Sequence, residues 1–214
     1  MSDCLAHDLV TATGAGAVEH GDPAPDWVGD SLERSLLMVV RRARPQGDLL
    51  PVGLRGEARH QRFGAWLPRR EVVSVVRPED LARMRAWSAS PRAALLPHFE
   101  ALDRIARTMD ACGVVWGPVG GMGYELASGT PCLTRSSDLD LVLRAGEPLD
   151  RRIAGELAGA LTALPVKSDL LIETPRGAVA LAEFVAGAPR LMLRTSDGPC
   201  LSADPWQPGE GGAR

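Results

Sequence analysis

The sequence predicts an α+β fold of α/β-like character, a small β-rich N-terminal unit followed by a unit with a mixed sheet and flanking helices. Three observations carry this. Residues 35–76 read as short apolar runs broken by Gly and Pro, as strands between turns do. From Arg92 the apolar spacing becomes helical, with one stripe repeating every three to four residues. Beyond Gly113, strand-length runs alternate with helical segments, the order expected of an α/β arrangement.

In the first unit, strands are expected at Leu36–Val40, Leu50–Leu54, Phe63–Leu67 and Glu71–Val76, with a turn at Pro45-Gln46-Gly47-Asp48. Arg77-Pro78-Glu79-Asp80 opens a short helix to about Trp87, because Pro suits the first turn and acids suit the positive end. Ser88-Ala89-Ser90-Pro91 is the expected linker, dividing the chain into 1–90 and 91–214. Leu95, Phe99, Leu102, Ala106 and Met109 then mark a helix stopped by Gly113. A strand at Val114–Gly117, a glycine loop with a short helix over Gly120–Ala127, and a strand at Asp138–Leu143 follow. A helix over about Leu149–Leu164 and strands at Asp169–Glu173 and Val179–Phe184 come next. The tail from Leu191 fits a hairpin turning at Asp197-Gly198, and from Pro205 onward a frayed end is expected.

The 214 residues, 45% hydrophobic and 24% charged, are enough for one good core or two small ones that share an interface. A net charge of -3 and a pI near 5.8 offer no basic footprint for nucleic acid. Cys4, Cys112, Cys132 and Cys200 lie far apart, and the four histidines share no metal-ligand spacing, so neither a zinc site nor a disulfide framework is expected. No segment has the composition of a signal peptide or a membrane span. The expected place of work is the cytoplasm.

The chemistry concentrates between Gly117 and Arg144. On a strand through Ser136-Ser137-Asp138-Leu139-Asp140-Leu141, Asp138 and Asp140 share one face while Leu139 and Leu141 enter the core. Adjacent carboxylates repel, and Mg²⁺ removes that repulsion while keeping positions for water and phosphate oxygens. Gly120 and Gly121 can turn backbone N–H groups toward an anion at the head of the following helix. Either feature alone is common, but their succession along one stretch points to a phosphate and metal site. Asp169 is the expected third acid, completing the metal site or accepting a proton from an attacking hydroxyl, and Glu173 lies further along the same strand face. Ser136, Ser137 and Arg135 could touch phosphate, although a Ser before an Asp is also ordinary turn chemistry. Arg55, Arg59 and Arg62 lie close in sequence and form either an anion site or a solvated basic turn. No nucleophile elbow or paired Cys and His appears.

The Gly-Gly loop with Ser137-Asp138-Leu139-Asp140-Leu141 resembles the nucleotidyltransferase superfamily. A closer likeness rests on His7-Asp8-Leu9, Pro51–Gly56 (PVGLRG), Arg59–Phe63 (RHQRF), Arg77–Leu81 (RPEDL), the Asp138 strand and Glu173–Glu183 (ETPRGAVALAE). Together, over about residues 5–202, these resemble the malonate decarboxylase holo-acyl carrier protein synthase family, also called phosphoribosyl-dephospho-CoA transferase. The resemblance implies transfer of a 2′-(5″-phosphoribosyl)-3′-dephospho-CoA group from triphosphoribosyl-dephospho-CoA to a serine of the apo acyl carrier subunit of malonate decarboxylase, with pyrophosphate released. It also implies Mg²⁺ on Asp138, Asp140 and Asp169. One departure stands out: superfamily members usually carry Gly-Ser where this chain has Gly120-Gly121. Two other readings stay open. One is a nucleotidyltransferase that uses an ordinary nucleoside triphosphate. The other is an inactive module that binds carrier or donor.

Overall fold

The computed structural model describes residues 4–21, 23–58 and 60–207. The first unit contains β1 (Leu9–Ala12), α1 (Trp27–Arg34), β2 (Leu37–Val40), β3 (Leu49–Arg55), β4 (Arg62–Pro68) and β5 (Val72–Val76). Its five strands form an antiparallel sheet in the order β4-β3-β2-β1-β5. Alternation divides its faces. Val10, Met38, Val40, Val52, Ala65 and Leu67 are buried in one core with Val28 of α1. On the opposite face Leu9, Val39, Gly53 and Gly64 stand in register across four strands, and this face turns toward the rest of the molecule.

The second unit runs α2 (Pro78–Arg83), α3 (Pro97–Ala111), β6 (Val115–Pro118), α4 (Gly120–Ser128), β7 (Leu139–Arg144), α5 (Arg151–Thr162), β8 (Ser168–Thr174), β9 (Gly177–Ala180), α6 (Leu181–Ala186), β10 (Leu191–Thr195) and β11 (Gly198–Ser202). Its six-stranded sheet has the order β11-β10-β9-β8-β7-β6. Only the β7–β8 pair is parallel, so the sheet is mixed as expected. Leu139, Leu141, Leu143, Leu170 and Ile172 pack with Phe99, Leu102, Ile105 and Met109 of α3 and Leu157 of α5 in a second core.

Several elements differ from the sequence reading. β1 and α1 were not expected: β1 spans four residues, and α1 buries only Val28 and Ser31, too few apolar positions to mark a stripe. Val179–Phe184 is not one strand. β9 ends at Ala180 and α6 begins at Leu181; a continuous apolar run leaves strand and buried helix indistinguishable, and Leu181 and Phe184 meet the core at helical spacing. Residues 91–95 form turns ahead of α3, whose first position is Pro97, and α2 ends at Arg83 rather than near Trp87. Pro205 to Gln207 do not fray. Trp206 packs edge-on against Phe184 at 5.6 Å and donates to the Ala145 carbonyl at 2.9 Å. The expected fray beyond residue 207 lies outside the described residues.

The two sheets are joined by charge and by close backbone contact. Arg144 of β7 donates to Asp8 Oδ1 at 3.1 Å and to the Ala6 carbonyl at 3.0 Å, with Glu79 at 3.6 Å. Asp8 is fully buried. Burial raises its carboxyl above the usual range, against the N–H of Leu5 and the charge of Arg144. Glu173 of β8 meets Arg42 and lies 3.2 Å from His7 Nε2. Its burial would raise the carboxyl, yet His7 and Arg42 together hold it below the usual value. A Cβ on Gly117 would stand 2.0 Å from the Pro78 backbone, so β6 accepts the start of α2 only as glycine.

Candidate active site

β7 carries the acids. Its inward residues Leu139, Leu141 and Leu143 are buried, so Asp140 points to the opposite face, as does Asp138 one residue ahead of the strand. The parallel register sets Asp140 opposite Asp169 of β8, which places the third acid on the same face. Lys167, the only lysine in the chain, reaches Asp138 Oδ2 at 3.2 Å. The segment before β7 is a tight turn. Thr134 N donates to Ser137 Oγ at 3.0 Å, and the Thr134 and Ser136 hydroxyls lie 3.1 Å apart, so both serines serve the turn in this state. His98, fully buried, holds the Ser137 carbonyl through Nε2 at 2.7 Å.

The glycine turn lies directly against these acids. Val119 N donates to the Asp140 carbonyl at 2.9 Å, and Gly120 follows with φ +59, where a Cβ would stand 2.3 Å from Asp140 Oδ2. Any other residue would be strained and would push the carboxylate away. Gly121 lies in the first turn of α4, where N–H groups without an intrahelical partner can face an anion. A Cβ on Gly121 would lie 3.5 Å from Arg55 Nη1, so the arginine flanks the loop. Arg55 and Arg62 are register partners on β3 and β4, and like charges directly opposite disfavour each other unless an anion compensates them. Arg59, the third arginine of the sequence reading, lies outside the described residues.

A cavity of about 330 Å³ opens between the loop and the first sheet, lined by Arg41, Gly53, Arg55, Phe63 and Gly64 on one side and by Gly120 and Tyr124 on the other. Its mouth is held from behind. Arg92 donates to both oxygens of buried Glu125 at 2.8 and 2.7 Å, and Glu125 accepts the N–H groups of Cys132 and Leu133 at 2.7 and 2.9 Å. Cys132 Sγ reaches the Gly121 carbonyl at 3.1 Å; burial lifts its thiol pKa, against the lowering charge of Arg55. His98, Arg92, Glu125 and Arg41 were not singled out from the sequence: Arg92 and Glu125 lie 33 residues apart and His98 and Ser137 lie 39 apart, and Arg41 reaches carbonyls 11 and 24 residues on, spacings that leave no local signal.

Among the described residues, no group of three or more His, Cys, Asp or Glu side chains is arranged to hold a metal ion. Two carboxylates nevertheless match Mg²⁺, which takes one or two and completes its octahedron with water and substrate oxygens. Asp138 and Asp140 supply that number beside a turn that has no room for a side chain.

An acidic strand end set against a glycine turn is the arrangement that the sequence reading associates with group transfer of the nucleotidyltransferase kind. Residues 5–78 match the family model described as phosphoribosyl-dephospho-CoA transferase MdcG N-terminal domain, and residues 81–205 match its C-terminal domain counterpart. A phosphoribosyl-dephospho-CoA transferase of Pseudomonas putida (strain W619) is 40% identical over 206 residues, covering 96% of this chain and 97% of that protein. One of Azotobacter vinelandii is 39% identical, covering 94% and 93%, and one of Pseudomonas aeruginosa PAO1 is 37% identical with the same coverage. No solved structure matches the chain. The chain belongs to the phosphoribosyl-dephospho-CoA transferase family and is a transferase. Among the described residues, no helix is long and apolar enough to cross a membrane.

Proposed function

We propose that this enzyme transfers the 2′-(5″-phosphoribosyl)-3′-dephospho-CoA group from triphosphoribosyl-dephospho-CoA to a serine of the apo acyl carrier subunit of malonate decarboxylase, in the cytoplasm. The observation that carries the reading is the contact of Gly120 with the Asp140 carboxylate, at the mouth of a cavity that also presents Arg55 and Arg62, in a chain whose curated relatives bear that transferase name. The triphosphate would lie along the glycine turn, with its terminal charge on the N–H groups of α4 and on Arg55 and Arg62. Asp138 and Asp140 would hold Mg²⁺, which when bound neutralises the phosphate oxygens. The carrier serine Oγ attacks the α-phosphorus in line, the Oγ–P bond forms, and the bond to the bridging oxygen of pyrophosphate breaks. Asp169, on the exposed end of β8, takes the serine proton. Lys167 donates to Asp138 Oδ2 at 3.2 Å, beside the acids.

The test is intact-mass analysis of apo carrier subunit incubated with enzyme, Mg²⁺ and the triphosphate donor, beside Asp138→Ala and Asp140→Asn variants and a tube holding ATP alone. A mass gain of one prosthetic group is expected, slowed on the order of 10²–10³-fold in either variant. A gain of AMP from ATP alone would replace the reading with ordinary nucleotidylation. A donor that binds without any mass gain would make the protein a binding module.

A further inference from the structure

The first sheet builds a flat platform that the transfer chemistry does not use. Gly53 and Gly64 are register partners on β3 and β4, on the face toward the cavity, so the cavity floor lacks side chains at two adjacent positions. Arg41 covers this floor. A Cβ on Gly64 would lie 3.0 Å from Arg41 Cζ, 3.1 Å from Nη1 and 3.3 Å from Nη2, three nearly equal distances, which puts the guanidinium plane face-on over the glycine. Two of its edges are tied down: Nε donates to the Val52 carbonyl at 2.8 Å and Nη2 to the Ala65 carbonyl at 3.5 Å. Its Cζ also lies over the Trp66 ring, 5.8 Å from the centroid. Held by these contacts yet only partly buried, Arg41 lines the cavity and can offer its plane to a ring there. Planar arginine stacks on planar rings, whereas lysine does not.

We infer that the Arg41 platform over Gly53 and Gly64 is a stacking site for a purine base, the adenine of the donor. The surroundings suit a ring, with Val39 and Leu9 beside Gly53 on the same sheet face and Tyr124 of α4 across the cavity. The cavity of about 330 Å³ falls at the small end of small-molecule sites, about 300–1,000 Å³, enough for a base but not for a whole coenzyme. Its position also agrees, because Gly120 lines the same cavity, so a base seated on the platform shares one space with the glycine turn. The identity of the ligand rests on the proposed transfer, while the existence of a base site does not.

The experiment is calorimetric titration of the full chain with dephospho-CoA, with AMP and with 4′-phosphopantetheine, repeated on Arg41→Met, Arg41→Lys and Gly64→Val. Dephospho-CoA and AMP are expected to bind the wild type, and phosphopantetheine, which lacks the base, is expected not to compete. Losing one stacking partner weakens dephospho-CoA about tenfold. Arg41→Lys should not rescue, since it keeps the charge and loses the plane. Gly64→Val should match Arg41→Met with its melting temperature checked. Equal binding of phosphopantetheine, full rescue by lysine, unchanged affinity in Arg41→Met, or no binding of dephospho-CoA to the wild type would each overturn the inference. Base binding through Arg41 without carrier modification would sink the proposed reaction and leave the base site standing. Carrier modification that ignores Arg41 would do the reverse.

Discussion

At the scale of single residues, the site depends on what is missing as much as on what is present. Gly120 has a positive φ and room for no side chain beside Asp140. Gly120→Ala should therefore fold but displace the carboxylate, and an error of about 1 Å at a reacting centre costs on the order of 10²-fold in rate. Intact-mass kinetics beside a thermal melt will check this, and an alanine variant with wild-type rate would detach the turn from the chemistry. The acids were legible in the sequence because strand alternation is a local rule. Asp138 and Asp140 share a face whatever else the chain does. Lys167 is the only lysine in the chain, and its place against Asp138 depends on the parallel pairing of β7 and β8, which sequence spacing does not state.

At the scale of elements, α4 is oriented by a buried pair rather than by its own apolar stripe. Glu125 is 5% exposed and receives Arg92 together with the Cys132 and Leu133 N–H groups. Glu125→Ala would leave a partly buried arginine and two amides without their acceptor. Breaking such a pair costs about 3–5 kcal/mol, so the urea midpoint should fall sharply, whereas a shift within error would show that water replaces the carboxylate. Segments with clear periodicity, β3, β4, α3 and α5, were found from the sequence within a few residues of their bounds. The β9–α6 junction was not, because one apolar run serves a strand and then a helix without a break in pattern.

At the scale of the whole molecule, the two sheets are joined by a network of Arg144, Asp8, Glu79, Glu173, His7 and Arg42. Arg144→Met would strand Asp8, which is 0% exposed, and should cost about 3–5 kcal/mol, read as a lowered denaturation midpoint. The same network sets a pH dependence. The Glu173 carboxyl is held below its usual value, so its stabilising contribution is present above the pKa of an unfolded glutamate and is lost as pH falls through the folded value. Asp8, raised by burial, acts with the opposite sign and favours the fold as it takes up a proton. Glu173→Gln is expected to flatten the part of the acid-side loss of melting temperature that belongs to this residue. An acid limb parallel to wild type would assign that loss to other groups.

The sequence by itself determined the α+β class, most of the strands and helices, the glycine turn, the aspartates and the family. Each of these rests on spacing within a few residues or on motifs read in order along the chain. Only the tertiary structure decided that Gly120 touches Asp140, that Arg55 and Arg62 face the same loop, and that two glycines and Arg41 make one flat floor. Those relations join residues that lie on different strands and turns. No periodicity extends so far; they arise only when sheet register and core packing bring distant strands to one face.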